Sequence, residues 1–153
     1  MKRYFSFLIC AAMLSFVACD KSDNNDEKPA PAAASALGKM SVTQTDGTVF
    51  TQDCVSVNIA YDADSATITM LKVKFAERMP LELDMTIGGV QYNEDGGSVK
   101  LSGNNIVPMA MGGPFPKYTI TNFEGESNPA KGTFRFSMMC GENPTSYEGA
   151  LVK

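Results

Sequence analysis

The residues of this sequence that could do chemistry are its cysteines, carboxylates and methionines. The chain has 153 residues, with four Cys and ten Met but neither His nor Trp. Because His is the commonest general base and a frequent metal ligand, its absence argues against most hydrolase and metalloenzyme arrangements. Three acidic pairs fall in turns or on polar strand faces, as solubilising charge does: Glu82/Asp84, Glu94/Asp95 and Glu124/Glu126. We therefore expect no enzymatic activity, no metal site and no cofactor.

Cys19 stands at the end of a segment with the layout of a secretory signal. Residues 1–3 include two basic side chains, residues 4–17 form an apolar run, and the chain turns polar at Asp20. The run is shorter than the about 20 residues of a transmembrane helix and suits a signal peptide. Ala18-Cys19 in this position resembles the bacterial lipobox, in which the cysteine thiol receives diacylglycerol and cleavage occurs just before it.

The lipobox resemblance implies a signal peptide over residues 1–18, lipidation of Cys19 and an anchor in the outer membrane of the cell envelope. Several acyl chains hold a protein to a bilayer far more firmly than a single chain does. The alternative is an ordinary signal peptide that leaves Cys19 unmodified.

The composition of residues 19–36 predicts a flexible tether. After Cys19 they contain no aromatic or β-branched residue and include Pro29 and Pro31, so they cannot bury enough apolar surface to fold. The acids at positions 20, 23, 26 and 27 resemble the export tract that directs some Bacteroidota lipoproteins to the cell surface. A plain solvated linker fits these acids equally well, so the side of the membrane stays open.

The charge of the chain bears on its partners. Its 13 Lys+Arg and 17 Asp+Glu give a formal net charge of −4, and the basic residues form no stripe. We therefore expect no nucleic-acid partner.

From Leu37 onward, apolar and polar residues alternate with a period of two. Turn signals such as Asp46-Gly47 recur about every 8–12 residues. The pattern predicts eight or nine short strands and no helix. An antiparallel sheet of such strands has to avoid long unpaired edge strands. It does so by closing into a barrel or by splitting into two packed sheets of a sandwich. Short hairpins favour a single antiparallel up-and-down β-barrel over residues 37–153.

The strand at residues 79–87 shows the alternation most clearly, with apolar residues at every odd position. Gly88-Gly89 is expected to end this strand. Together with the strand at 134–140, its apolar face would line the interior of the barrel. The candidate lining residues are Met79, Leu81, Leu83, Met85, Phe134, Phe136 and Met138.

Two stretches point to a known family: GKMSV at 38–42 and MPLELDMTIGGV at 79–90, behind the lipobox leader. They resemble the calycin-like β-barrel lipoproteins of gut Bacteroidota. The resemblance implies an eight-stranded, lipocalin-like barrel. True lipocalins carry Gly-x-Trp near their first strand, whereas this chain has Gly38-Lys39-Met40 at the comparable place.

Small barrels can hold one small ligand. The apolar interior therefore favours a membrane-anchored protein that binds a small apolar or amphipathic ligand without catalysis. A barrel of this length can instead fill itself with its own side chains. The alternative function is a protein-interaction or inhibitor module that acts through the outer face and the Pro/Gly/Met loop at 106–116. Met109, Met111 and Phe115 are the candidate contacts of that loop.

Two further sites can be placed on the sequence. Cys54 falls on a polar strand face and Cys140 on an apolar one, so a disulfide between them would need a β-bulge to change one register. Asp64-Ser65-Ala66 resembles the O-glycosylation sequon of secreted Bacteroidota proteins and falls on a predicted turn, which makes Ser65 a candidate for glycosylation. A chance match of three residues is the alternative.

Overall fold

The computed structural model describes residues 28–153, which form an all-β structure. The strands are β1 (Ala34–Thr43), β2 (Val49–Tyr61), β3 (Ala66–Val73), β4 (Leu83–Asp95), β5 (Ser98–Gly103), β6 (Met109–Ala110), β7 (Gly113–Pro114), β8 (Ile120–Asn128), β9 (Thr133–Cys140) and β10 (Asn143–Val152). A single 3-10 turn, Pro116–Tyr118, precedes β8. Within these residues no helix is long and apolar enough to cross a membrane.

Eight of the strands close into a barrel. Their hydrogen-bonded order is β3-β2-β1-β10-β9-β8-β5-β4, and β3 also pairs with β4, which closes the ring. All of these pairs are antiparallel, and the short β6–β7 hairpin is attached to β4. The predicted single up-and-down barrel is confirmed, and the sandwich alternative is wrong.

Gly88-Gly89 does not end a strand, contrary to expectation. Ile68 pairs with Ile87 and Ala66 pairs with Val90, so β4 runs through both glycines with a β-bulge at that point. Gly89 has a φ of +71°, a conformation that glycine adopts without steric cost. Because a bulge bends and twists its strand, it contributes to the curl that the closed sheet needs.

The two ends of the barrel differ. One end, called here the tether end, carries the start of β1 at Ala34 and the turns at 62–65, 96–97 and 129–132. Lys28 lies at this end as well, because its Nζ is 3.1 Å from the Glu94 carboxylate near the end of β4. The opposite end, called the distal end, carries the connections at 44–48, 74–82, 104–119 and 141–142.

The boundary between tether and barrel lies slightly earlier than predicted. β1 begins at Ala34, and Ala36 is already part of the buried core. The predicted signal peptide of residues 1–18, the predicted lipidation site Cys19 and the first part of the predicted tether lie outside the described residues.

The strand predicted at 79–87 is wrong over its first four residues, which include Leu81, because β4 begins at Leu83. The last pair between β3 and β4 is Val73 with Leu83, and the backbone N–H of Met79 donates to the carbonyl of Ala76 in a turn. Pro80 has no N–H to give to a strand ladder. The segment 74–82 is therefore a loop, and the side chain of Leu81 is 64% exposed.

Tyr147 links three strands inside the barrel. Its hydroxyl donates a buried hydrogen bond of 3.0 Å to the carbonyl of Val55 on β2. A Cβ on Gly149 would lie 2.5 Å from this hydroxyl, and a Cβ on Gly38 would collide with the backbone carbonyl of Glu148. Gly149 therefore leaves the space that the tyrosine hydroxyl occupies, and Gly38 allows the backbones of β1 and β10 to approach each other.

We predict that Tyr147→Phe lowers the free energy of unfolding by about 1–2 kcal/mol, because the buried Val55 carbonyl loses the hydroxyl that donates to it. Urea denaturation followed by circular dichroism measures the change. Tyr92→Phe is the matched control, since the Tyr92 hydroxyl also donates to a backbone carbonyl, that of Asp62, but at an exposed position. Equal losses in the two variants would contradict the role assigned to the buried bond.

Candidate functional site

Most of the residues predicted to line the interior do face it. Five of the seven are buried in the core: Leu83, Met85, Phe134, Phe136 and Met138. Met79 is half-buried at the distal end, where it packs against the core. Leu81 faces solvent and takes no part in the lining.

Side chains fill the described interior. Several of them have 0% relative accessible surface: Met40, Val42, Ile68, Met70, Met85, Ile87 and Phe134. A side chain with no accessible surface touches no void that is wide enough for a water molecule. Aromatic rings stack in the same space, with centroids 5.3 Å apart for Phe123 and Phe136 and 5.2 Å apart for Phe136 and Tyr147. Around these residues the barrel is filled rather than hollow.

Three stacked aromatic rings close the distal end. The Tyr118 ring lies between those of Phe75 and Phe115, with a centroid distance of 5.1 Å to each. Phe75 is only 2% exposed, and its carbonyl accepts a hydrogen bond from the Gln44 side chain. Its backbone N–H donates to the sulfur of Met79 at 3.4 Å. These contacts hold Phe75 as a plug in the mouth of the barrel.

An open recess of about 290 Å³ lies beside this plug. Phe75, Met79 and Tyr118 form its apolar wall, and Gln44, Arg78 and Asn143 are its polar residues. Arg78 is the one charged residue of the lining. Lys117 adds a second cation close by, since its Nζ lies 5.8 Å from the centroid of the Tyr118 ring. The recess therefore combines an apolar surface with positive charge.

The 106–116 loop presents two methionines to solvent. Met109 is 48% exposed and Met111 is 74% exposed. Met111 and Gly112 form the turn of the β6–β7 hairpin, with φ values of +52° and +81°. A positive φ is rare for a bulky residue and costs free energy, and such strain is often kept where a side chain has a function.

Phe115 is not the exposed anchor that the sequence suggested. It is half-buried, packs against the core and stacks on Tyr118. The 3-10 turn that begins at Pro116 folds the chain back and places the two rings together. Two further residues are exposed at the same end and were not among the predicted contacts: Leu81 on the 74–82 connection, and Val107, which is 44% exposed, within the 106–116 loop. The fold brings them to the distal end because the connections 74–82 and 104–119 both leave the barrel there.

A row of alternating charges crosses the outer face of the barrel. It runs from β5 to β2 and reads Lys100, Glu126, Arg135, Glu148, Lys39 and Asp53. The Glu126 carboxylate is 2.8 Å from Lys100 and 2.7 Å from Arg135. Hydrogen bonds from these two cations lower the pKa of Glu126 to about 2. Cross-strand pairs of opposite charge stabilise strand register.

A second row lies beside the charges and consists mainly of serines: Ser102, Glu124, Ser137, Ser146 and Ser41. Short hydroxyl side chains next to long charged ones leave a shallow groove of about 820 Å³. The charges along its margin pair with one another, so we assign the rows chiefly to the stability of the sheet.

Cys54 and Cys140 are both free. The β-bulge that a disulfide would require does occur at Cys54, opposite Lys39, and the φ of Cys54 is +56°. The Cys54 thiol nevertheless stays on the exposed face of the sheet, whereas Cys140 is buried. Burial raises the pKa of the Cys140 thiol to about 12. The two faces remain separate, and the structure has no disulfide between these residues.

Ser65 lies in the predicted turn, in which the backbone N–H of Asp62 donates to the Ser65 carbonyl at 2.8 Å. The residue is half-buried. Its glycosylation stays a prediction.

In residues 28–153 no cluster of three or more His, Cys, Asp or Glu side chains is arranged to hold a metal ion. Comparison with known protein families, with curated proteins and with solved structures found no match to this chain. The description of the fold therefore rests on the strand pairing of this chain and not on similarity to another protein. That geometry, a closed eight-stranded antiparallel barrel, is compatible with a calycin-like fold.

The two thiols of the barrel should differ in reactivity. We expect an exposure-sensitive reagent such as DTNB to modify Cys54 in the native protein, and to modify Cys140 only after unfolding, because the thiolate is the reactive form and burial suppresses it. Peptide mass spectrometry after timed modification distinguishes the two sites. Equal rates, or a peptide in which the two cysteines are linked, would contradict the assigned burial.

Proposed function

We propose that this protein is a lipoprotein anchored to the outer membrane through Cys19, and that it binds a small apolar or amphipathic ligand without catalysis. The observation that carries the ligand proposal is the recess beside Phe75 at the distal mouth of the barrel. Apolar surface, the unbranched side chain of Met79 and polar groups meet in this recess. Ligand sites in general combine an apolar lining with a few polar groups in this way.

The position of β1 supports this arrangement. The chain that leads back to Cys19 leaves the barrel at the tether end. A lipid anchor on Cys19 would therefore hold the opposite end, with its mouth and long loops, away from the bilayer. An accessible mouth is what a binding protein on a tether requires.

The ligand is proposed to occupy the mouth rather than the middle of the barrel. The interior is occupied by side chains with no accessible surface, such as Met70 and Met85. Entry beyond the recess would require Phe75 to leave its place on Tyr118. Met79 is unbranched and half-buried, so part of its side chain is available to contact a ligand in the recess.

The methionines report on where a ligand binds. We expect N-phenyl-1-naphthylamine, a neutral apolar probe, to shift the methyl NMR signal of Met79 in protein labelled at the methionine methyl groups. The signals of Met40 and Met70 report on the interior, and those of Met109 and Met111 report on the loop. Met79→Leu identifies the signal of the mouth. A titration that leaves the Met79 signal unchanged would contradict binding at the mouth.

The anchor is tested separately. We expect Cys19→Ala to abolish labelling by metabolically supplied palmitate and to move the protein out of the membrane fraction, because the acyl chains would lose their attachment point. Cys54→Ala is the matched control and should remain labelled and membrane-bound. Unchanged membrane binding of the Cys19→Ala protein would overturn the proposed location.

The second candidate function is a protein-interaction or inhibitor module that acts through the distal loops. It is favoured by Met111, whose side chain is 74% exposed on a strained turn. Leu81, Val107 and Met109 extend the exposed apolar surface at this end.

We expect Met111→Gly to raise the free energy of unfolding by about 1 kcal/mol, because glycine adopts the positive φ of this turn without strain. If the loop binds a protein, the same change should reduce cross-links formed from the distal end on intact cells. Val152→Ser, an exposed apolar residue at the tether end, is the control and should leave cross-linking unchanged. A stabilised variant with undiminished cross-links would exclude Met111 as a contact.

A further inference from the structure

We infer that the recess beside Phe75 selects anionic amphiphiles, which are small molecules with a carboxylate or sulfonate head and an aromatic or short aliphatic tail. The inference rests on the ligand-binding function proposed above and names the chemical class of the ligand. It depends on three properties of the recess: its size, its apolar wall and a cation that makes no ion pair within the described residues.

The size of the recess limits the ligand. A volume of about 290 Å³ lies just below the range of about 300–1,000 Å³ that is usual for small-molecule sites. Below it the Phe75 ring blocks the way into the barrel, since it is almost fully buried and stacked on Tyr118. A compact head with one short tail fits such a site, whereas a long chain would have to displace the plug.

Arg78 supplies a cation that makes no ion pair within the part of the chain that the structure describes. None of the ion pairs in residues 28–153 involves Arg78 or Lys117. The nearest acids along the chain, Glu77 and Glu142, do not line the recess. Arginine presents a planar fork of N–H donors that matches carboxylate and similar oxyanions. The charge of the recess is therefore available to an anionic ligand.

Arg135 shows the contrast within the same chain. Its guanidinium lies 2.7 Å from the Glu126 carboxylate, and Lys100 shares that carboxylate at 2.8 Å. Arg135 is thus neutralised by its neighbours on the sheet, whereas Arg78 lies on a loop at the edge of an apolar wall. The two arginines form a matched pair for a test of the recess.

The wall beside Arg78 suits a short apolar tail. The Tyr118 ring stacks with Phe75 and with Phe115, and these contacts hold it in place. Met79 also lines the recess, and its polarizable thioether packs well against aromatic groups. The anionic head group of the ligand would bind Arg78, and its apolar tail would pack against Tyr118 and Met79.

Two dyes that differ by one charged group test the inference. 1-Anilinonaphthalene-8-sulfonate carries a sulfonate that N-phenyl-1-naphthylamine lacks, and fluorescence titration gives a Kd for each. Residues 28–153 contain the whole closed sheet and its core, so a protein of these residues is used in the titration. We expect the wild-type barrel to bind the anionic dye about five- to tenfold more tightly than the neutral one, as a charge-assisted hydrogen bond would give. Arg78→Gln should remove that preference, so that the ratio of the two Kd values falls to about one.

Arg78→Lys should retain most of the preference, and Arg135→Gln should retain all of it. Circular dichroism verifies that each variant is folded. Equal affinity of the wild type for both dyes, or a preference that survives in Arg78→Gln, overturns the inference and leaves the proposed function standing. Binding of neither dye overturns the proposed function itself.

Discussion

Closure of the sheet by the ladder between β3 and β4 is the constraint on which the rest of the structure depends. A ring of eight strands encloses a space just wide enough for side chains to fill, and in this chain they fill it, from Met40 and Met70 to the stack of Phe136 on Tyr147. Even the hydroxyl of Tyr147 is accommodated, because Gly149 has no Cβ in its place. A filled interior leaves the ends and the outside of the barrel as the surfaces available for function.

The two ends are unequal because of how the chain is connected. The turns at the tether end are short and make tight hairpins, such as the one at Gly96-Gly97. The distal end receives the long connections 74–82 and 104–119. Long loops on a rigid scaffold are where binding residues are commonly found, because they can change without disturbing the sheet. Here they carry both the recess and the exposed methionines.

Features that are not optimal for stability gather at this same end. Arg78 has no partner in an ion pair within residues 28–153, while the charges of the outer face pair along the sheet. Met111 holds a left-handed conformation that a glycine would adopt more easily. Local choices that oppose stability are expected chiefly at functional positions. Both features lie at the distal end, where the ligand is proposed to bind.

The sequence by itself determined the strands, the order of the hairpins and the opposite faces of Cys54 and Cys140, because side chains alternate along a strand and turns have local signatures. It also contains the basic and apolar leader before Cys19. Only the tertiary structure decided that Gly88-Gly89 is a bulge, that Leu81 faces solvent and that Phe115 is packed inward. It likewise decided that Arg78, Met79 and Tyr118 share one recess. These outcomes depend on which distant strands and loops meet when the sheet closes, and no short-range pattern carries that information.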